Sequence, residues 1–271
     1  MRPAAMAGVA ALVAMACAPA LREPPPVSAV APGTSGSRSA DELVRAADAA
    51  WARRADPRQA EAAQALYLDA AAADERRVDA LLGAMRAMTF RIEREQVSSV
   101  RARLSQEQVQ LGQWCQRRAP SEPACDYRLA IALGQQAREH ASTGKDALGK
   151  MVELLRKTTA AAPRLDSAGP HRVLALVLLR APGWPMGPGD PEAALAEARA
   201  AVGLFPDDPA NQLALAEALR KTESPDEARA AYQRALELAT AESQAGDPDA
   251  DRLRAEAAAA LARPPSAGSR R

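Results

Sequence analysis

The sequence predicts an all-α protein of about five antiparallel helix pairs, two of them enlarged. Three observations lead to this fold class. Hydrophobic residues make up 48% of the 271 residues but aromatic residues only 3%, so the apolar content is mostly alanine and leucine, which favour helix. Asp-Pro and Ser-Pro pairs, which are typical of helix starts, stand before several apolar stretches. Two stretches also match each other at an offset of 34 residues.

The N-terminus has the layout of a secretory signal peptide at 1–16. Arg2 precedes an uncharged apolar run, and the small residue Ala16 comes directly before Cys17. The run is shorter than the about 20 apolar residues that a membrane span needs. The stretch "VAMAC" resembles a bacterial lipobox, although Ala14 stands where leucine is usual. This resemblance implies a lipid on Cys17 and a location on the periplasmic side of a bacterial membrane. Ala18, which follows the cysteine, favours the outer membrane by resemblance to known lipoprotein sorting. The alternative is an ordinary signal peptide cut nearby.

The segments on either side of the predicted helices have compositions that cannot bury a core. Residues 17–38 are rich in proline, serine, glycine and alanine, so we expect the lipid-bearing cysteine to be followed by a disordered tether. Residues 39–262 are the predicted helical domain. We expect 263–271 to be a frayed tail.

The first two helix pairs are predicted from apolar periodicity and from one capping signal. Asp56-Pro57 places an N-cap residue before a proline at the first helical position. The expected helices of these pairs are 41–54 with 57–73, and 76–95 with 97–118.

Two pairs further along are longer than the others. Pro120, Pro163 and Pro206 close successive units and are 43 residues apart, which exceeds the 34-residue offset by nine. The extra residues are expected near 138–146 in the first unit and at 180–192 in the second. Pro182 would end one helix there, and Asp190 with Pro191 would start the next.

The clearest internal match aligns "DPEAALAEARAAVGLFPDDP" with "SPDEARAAYQRALELATAES". The matched positions are Pro191 with Pro225, Ala194 with Ala228, and Ala201 with Ala235. Small residues at such positions let neighbouring helices approach closely. Ser224 and Glu227 form a predicted capping box, and Asp247-Pro248 predicts one more helix start.

These positions resemble the tetratricopeptide repeat (TPR), a helix–turn–helix unit of 34 residues. The resemblance covers most of 40–240 and is most specific at 188–238. It implies a right-handed superhelix whose first helices line a concave face. The lipobox, the tether and the irregular repeats also resemble, in kind, the periplasmic T components of TRAP transporters. That second resemblance implies binding of a ligand or of a partner solute-binding protein, with no catalysis.

The cysteines beyond Cys17 form an even pair. Cys115 and Cys125 in an exported protein favour a disulfide, which would join two neighbouring repeats. Free buried thiols are the alternative. A metal site would need closer spacing or nearby histidines, and the only histidines are His140 and His171.

No pattern of residues indicates an enzyme, a cofactor or a metal. The net charge of +1 gives no reason to expect nucleic acid as a partner. The chain has no nucleophile elbow and no HExxH. Gly187 and Gly189 lack the third glycine of a phosphate loop, and His171 follows a proline at a helix start, which favours a cap or a packed residue over a catalytic base.

The stretch Val173–Leu179 is apolar on every side, unlike a surface helix. We therefore expect a partly apolar concave groove, because exposed apolar patches mark binding sites. Its cover is expected to be the enlarged turn, the curl of the N-terminal helices, or a bound partner. By repeat position, the groove residues are Tyr127, Ile131, Arg172, Leu176, Leu213 and Glu217, with Arg172, Arg180 and Glu217 as polar contacts.

The turn "RAPGWPMGPGDPE" carries Trp184 next to Met186, which a plain turn does not need. Trp184 either folds back as a plug on the apolar helix or borders a ligand site. The sequence thus predicts a membrane-anchored binding scaffold for an unidentified protein or peptide, or for a small apolar ligand. The alternatives are an accessory component of a TRAP-type transporter and an assembly factor for envelope complexes.

Overall fold

The computed structural model describes residues 20–33, 36, 38–140, 144–222 and 224–263. Across them the chain forms eleven α-helices and no strand. Their bounds are α1 Ala40–Trp51, α2 Pro57–Ala73, α3 Val78–Arg94, α4 Ser98–Arg118, α5 Pro123–Glu139, α6 Gly144–Ala161, α7 Leu165–Arg180, α8 Pro191–Leu204, α9 Pro209–Lys221, α10 Pro225–Gln244 and α11 Ala250–Ala262. The first ten form five consecutive pairs, and α11 follows as a single helix. None of the described helices is long and apolar enough to span a bilayer.

Each helix packs against the next one along the chain, which gives a solenoid of antiparallel pairs. The first helices of the pairs also contact one another, α3 with α5, α5 with α7, α7 with α9, and α9 with α11. These first helices therefore form the inner wall of the solenoid. The second helices of the pairs lie outside them.

Small residues allow the close packing that the repeat pattern predicted. Ala194, Ala201, Ala228 and Ala235 are all buried. Gly83 lies against the ring of Tyr67, and a Cβ there would come within 2.7 Å of it. A larger side chain at these positions would push neighbouring helices apart.

Proline at the first helical position opens five helices, as the sequence indicated for three of them. Asp56 accepts a hydrogen bond from Arg58 N, and Asp190 accepts one from Ala193 N. The capping box predicted at Ser224 is wrong, since the Ser224 side chain caps no backbone N–H.

The Asp247-Pro248 pair does not open a helix as predicted. Helix α11 begins two residues later, at Ala250. The Asp247 carboxylate accepts instead from Asp249 N, at 2.8 Å, and from the Arg54 guanidinium, at 3.2 Å. A long-range partner therefore replaces the expected local cap.

The N-terminal segment differs from the expected tether between residues 20 and 33. Ala20 N donates to Asp146 Oδ2 at 2.8 Å, and Trp114 Nε1 donates to Pro25 O at 2.6 Å. The side chain of Val27 is buried in the same core as the helices. The few apolar residues of this proline-rich stretch thus pack against the outer helices. Composition alone does not reveal this packing. The proposed signal peptide, Cys17 and the tail beyond Arg263 lie outside the described residues.

A disulfide joins Cys115, at the end of α4, to Cys125, in the first turn of α5, with the two Cα atoms 5.3 Å apart. The bridge spans the turn at Pro120 and links the second and third helix pairs.

Candidate functional site

The residues predicted for the groove belong to α5, α7 and α9, three adjacent inner helices. Tyr127 and Leu213 are buried, whereas Ile131, Leu176 and Glu217 are half-buried. The repeat pattern therefore predicts correctly that these three helices are adjacent. Two of the predicted groove residues, Tyr127 and Leu213, face the core instead of the groove. We call the inner wall formed by α3, α5, α7, α9 and α11 the concave face.

The apolar stretch Val173–Leu179 has a structural explanation. Helix α7 is packed against α5, α6, α8 and α9 at once. Most of its apolar side chains are buried by these neighbours, and only Val173 and Leu176 are partly exposed. The concave face is consequently less apolar than expected.

A backbone kink in the first turn of α7 presents a carboxylate to α5. Asp166, Ser167 and Ala168 all have positive φ, at 50°, 53° and 63°. Such a conformation costs about 1–2 kcal/mol for each non-glycine residue, so surrounding contacts must hold it. One of them is the Tyr127 hydroxyl, which donates to Asp166 Oδ2 at 2.8 Å.

Gly169 permits this kink to sit directly on Tyr127. A Cβ at Gly169 would come within 2.2 Å of the Tyr127 hydroxyl oxygen. Burial and the neighbouring Asp166 carboxylate raise the pKa of Tyr127. The phenol therefore stays neutral and acts as a hydrogen-bond donor.

Three arginines surround Asp166 from different helices. Burial opposes its ionisation, but Arg128, the Tyr127 hydroxyl, Arg172 and Arg86 outweigh burial and lower the pKa of Asp166. The Arg128 guanidinium lies 3.6 Å from Asp166 Oδ2. Arg128 is the ion-pair partner of this carboxylate, whereas Arg172 Nη1 lies 3.7 Å from Asp208 Oδ1 and Arg86 Nη2 donates to the Tyr67 hydroxyl at 3.3 Å.

Arg172 continues this network into α9. Its Nη1 donates to Asn211 Oδ1 at 2.7 Å, and Asn211 Nδ2 donates to Ser167 O at 2.9 Å. Asn211 is fully buried, so its amide connects the kink, the arginine and α9 without water access. Arg172 is therefore a structural link as well as a groove residue.

The C-terminal part of the concave face consists of paired charges. Arg180 Nη2 donates to both carboxylate oxygens of Glu217 at 3.1 Å. Glu256, on α11, faces Glu217, and burial together with this like charge raises the pKa of Glu256. The residues predicted as free polar contacts, Arg180 and Glu217, are thus already paired with each other.

The first and last pairs of the solenoid meet in a group of ionic contacts that we call the clasp. Arg54 lies 3.2 Å from Asp247 Oδ1, and Arg94 lies 2.8 Å from Asp249 Oδ1 and 2.9 Å from Pro248 O. The clasp joins the two ends of the solenoid through side-chain contacts.

Aromatic rings hold the clasp arginines in place. The Arg94 guanidinium lies 3.5 Å from the centre of the Phe90 ring, and the Arg54 guanidinium lies 4.9 Å from the Trp51 ring. Trp51 and Phe90 pack edge to face at 5.5 Å. An open pocket of about 420 Å³ lies beside this group, between the α1–α2 and α10–α11 connections.

The enlarged turn does not cover the groove. Helix α7 ends at Arg180 and α8 begins at Pro191, as predicted, but Trp184 is 90% exposed and Met186 is 72% exposed. The plug interpretation of Trp184 is therefore wrong, because the indole lies in solvent. A role for Trp184 and Met186 at a binding site stays a prediction.

His171 is packed against α8, in agreement with one of the two roles that the sequence favoured for it. His171 Nδ1 lies 2.6 Å from Glu197 Oε2, as befits a packed residue. No three His, Cys, Asp or Glu side chains among the described residues could together hold a metal ion. Sequence reasoning missed Arg86, Asp166, Asn211 and the clasp, since their partners are distant in the chain and no local motif marks them.

The solenoid is similar to the crystal structure of TTC0263, described as a thermophilic TPR protein in Thermus thermophilus. The TM-score is 0.60 at 24% identity, and the match covers 82% of this chain and 99% of that one. This similarity confirms a TPR-like α-solenoid and shows the fold alone.

Two structures of MamA are more distant. The RS-1 ArsTM double mutant has a TM-score of 0.48 at 17% identity, covering 77% of this chain and 97% of that one. MamA from Desulfovibrio magneticus RS-1 has a TM-score of 0.49 at 15% identity, covering 74% and 96%. No protein-family model and no curated protein matches the sequence.

Proposed function

We propose that this chain is an exported, membrane-anchored scaffold that binds a protein partner on its concave face without catalysing a reaction. The observation that carries the proposal is the central group of charges, in which Arg86, Arg128 and Arg172 on three inner helices lie near Asp166, with Arg128 as its ion-pair partner. A rigid inner wall with several guanidinium groups recognises ligands by geometry and charge.

A buried donor of Arg86 that lacks a hydrogen-bond partner in the described part of the chain favours a partner segment that presents carboxylates. The Arg86 Nε is buried and has no hydrogen-bond partner among the described residues. Its guanidinium is held 4.6 Å from the Trp51 ring, so its position is fixed before a ligand arrives. Ile131 and Leu176 lie half-buried on the neighbouring helices and supply apolar contacts. An acidic peptide with apolar side chains satisfies both features.

Site-specific photocrosslinking in intact envelopes tests where the partner binds. A photoreactive phenylalanine at Leu176 reports on the concave face, and the same residue at Gln233, exposed on α10, is the matched control. We expect a discrete crosslinked product from position 176 that the Arg128→Gln change weakens. Equal products from both positions, or a product only from 233, would place the partner elsewhere.

Membrane anchoring is proposed from the sequence pattern at Cys17. The Cys17→Ala variant is expected to leave the membrane fraction and to lack the acyl mass at its N-terminus. The full chain provides the control in the same fractionation. A wild-type chain without acyl mass would contradict the anchor and leave the binding proposal to be judged by the crosslinks.

A second candidate function is that of an accessory component of a TRAP-type transporter, with a solute-binding protein as partner. The clasp is the observation that favours it, since it joins Arg54 and Arg94 to the last helix connection and so links the two ends of the solenoid. Transporter genes beside the coding sequence, and co-purification of a solute-binding protein that the Arg94→Ala change reduces, would support this candidate.

A further inference from the structure

The loop between α7 and α8 displays two large apolar side chains to solvent. Trp184 is 90% exposed and Met186 is 72% exposed, and among the described residues only Val97 is a comparable large hydrophobic residue. The nine residues 181–189 contain no charged side chain. We call these nine residues the apolar loop.

The apolar loop is held in one shape by its own backbone. Gly189 N donates to Pro182 O at 2.8 Å, and Met186 N and Gly187 N donate to Gly183 O at 3.0 and 3.1 Å. Glycine is required where the two sides of the loop touch, because a Cβ at Gly189 would lie 2.3 Å from Ala181 O. A preformed loop loses little conformational entropy when its tip is buried, which suits it to insertion.

The loop lies at the same edge of the solenoid as the exit of the N-terminal segment. Ala20 N is hydrogen-bonded to Asp146, in the first turn of α6. Helices α6 and α7 are antiparallel neighbours with a three-residue connection, so the start of α6 and the end of α7 lie side by side. Adjacent helices are about 8–10 Å apart.

The distance from this exit to the proposed lipid is short. Cys17 precedes Ala20 by three residues, which span at most about 11 Å when extended. A lipid on Cys17 would therefore hold the start of α6, and the neighbouring apolar loop, close to the bilayer surface. The chain leaves the folded part on the side where its most exposed indole is located.

The opposite edge of the solenoid is unsuited to a membrane. Apart from the clasp, its connections carry five carboxylates and three arginines: Asp74, Glu75, Glu122, Asp207, Asp208, Arg76, Arg77 and Arg164. None of the large hydrophobic residues that are strongly exposed in the described part of the chain lies there. The apolar surface thus points to this orientation.

We propose that the apolar loop inserts Trp184 and Met186 into the lipid–water interface of the membrane to which the chain is attached. Indole rings prefer this interface because they combine an apolar body with an N–H donor. The inference rests on the proposed acylation of Cys17. It assigns the loop a second, protein-borne contact that fixes the orientation of the solenoid above the bilayer.

The test uses the mature acylated chain in vesicles of phosphatidylethanolamine and phosphatidylglycerol, with and without brominated acyl chains. Subtracting the spectrum of Trp184→Phe from that of the wild type isolates the emission of Trp184. We expect vesicles to shift this emission to shorter wavelength and brominated lipids to quench it severalfold more than the emission of Trp51 and Trp114. The latter two indoles are the internal control, since both are packed against the protein.

A second measurement uses the chain with Cys17→Ser, processed at the same position. Here the double change Trp184→Ser and Met186→Ser is expected to weaken vesicle binding at least about tenfold, because removing about 60 Å² of apolar surface from water suffices for that factor. The matched control is Val97→Ser, an exposed apolar residue in the α3–α4 connection at the same edge of the solenoid. It tests whether the loss is specific to the apolar loop and should have no more than a small effect.

The outcomes separate this inference from the anchor on which it rests. A wild-type chain that fails to float with vesicles refutes the anchor and the inference together. A chain that floats but keeps Trp184 unquenched overturns the inference and leaves the anchor intact. Protection of Trp184 that depends on protein concentration, without lipid, would assign the loop to a second copy of the chain and would also overturn the proposal.

Discussion

Asn211 is the buried amide on which the centre of the concave face depends, and its replacement gives the sharpest test of the network. Asn211→Ala removes the 2.7 Å bond from Arg172 Nη1 and the 2.9 Å bond to Ser167 O. A bond to a charged group contributes about 1.5–3 kcal/mol and a neutral one about 0.5–1.5 kcal/mol. We therefore expect a loss of about 3 kcal/mol in the free energy of unfolding.

Urea denaturation followed by far-ultraviolet circular dichroism measures this loss, which corresponds to a drop of about 6–12 °C in Tm for a chain of this size. Gln212→Ala is the matched control, because the neighbouring side chain makes a single neutral bond, Nε2 to Pro206 O at 2.8 Å. That control should lose about 1 kcal/mol.

A second variant separates the two halves of the amide. Asn211→Asp keeps an acceptor for Arg172 but turns a carboxylate oxygen toward Ser167 O, Ala201 O and Phe205 O, so its loss should be at least as large as that of Asn211→Ala. The reasoning is refuted if Asn211→Ala is no more destabilising than Gln212→Ala. Such a result would mean that the kink in the first turn of α7 does not depend on this network.

Three further predictions concern the same part of the molecule. Gly169→Ala should destabilise the chain by about 1–3 kcal/mol, because the new Cβ overlaps the Tyr127 hydroxyl, and thermal unfolding measures this. Removing the disulfide with Cys115→Ala and Cys125→Ala should cost about 2–3 kcal/mol in urea, and alkylation of the unreduced wild type should detect neither thiol. Folding lowers the pKa of Asp166, so its ionised carboxylate stabilises the fold above the usual carboxyl pKa, and this stabilisation is lost as pH falls through the lowered value. Asp166→Asn should therefore make the free energy of unfolding less dependent on pH in that acidic window.

Each of these predictions has a matched comparison. Gly203→Ala, where a Cβ meets nothing within 4 Å, should be neutral or slightly stabilising. A reducing agent should destabilise the wild type but leave the double cysteine variant unchanged. Asp251→Asn is the control for the pH profile of stability. The pKa of Asp251 is also lowered, but by Ser243 and Arg254 in the C-terminal region and not by the central arginines. An Asp166→Asn profile parallel to that of the wild type would contradict the role of the three arginines.

Most of the fold could be predicted from the sequence by the local rules of helix formation. The 34-residue offset placed Ala194 and Ala228 at buried positions, and Asp190-Pro191 marked a helix start to the residue. These signals are local because capping and close packing depend on residues a few positions apart.

The centre of the site could not be predicted in this way. Asp166 adopts a conformation that non-glycine residues rarely take, so no propensity indicates it. Arg54 meets Asp247 across 193 positions, and only the accumulated curvature of the solenoid brings them together. The sequence left Trp184 either as a plug on the apolar helix or at the border of a ligand site, and it could not show that bonds within the loop itself hold the indole outward.

The clasp changes how the repeats share their stability. In an open array each unit is supported only by its neighbours, so the end units fray first and unfolding spreads inward. Here Arg54 and Arg94, from the first two units, are bound to the last helix connection, so neither terminal unit is a free end. The two ends of the array therefore support each other through direct contacts. Loss of either end therefore withdraws support from both, and the five pairs should unfold as one cooperative unit.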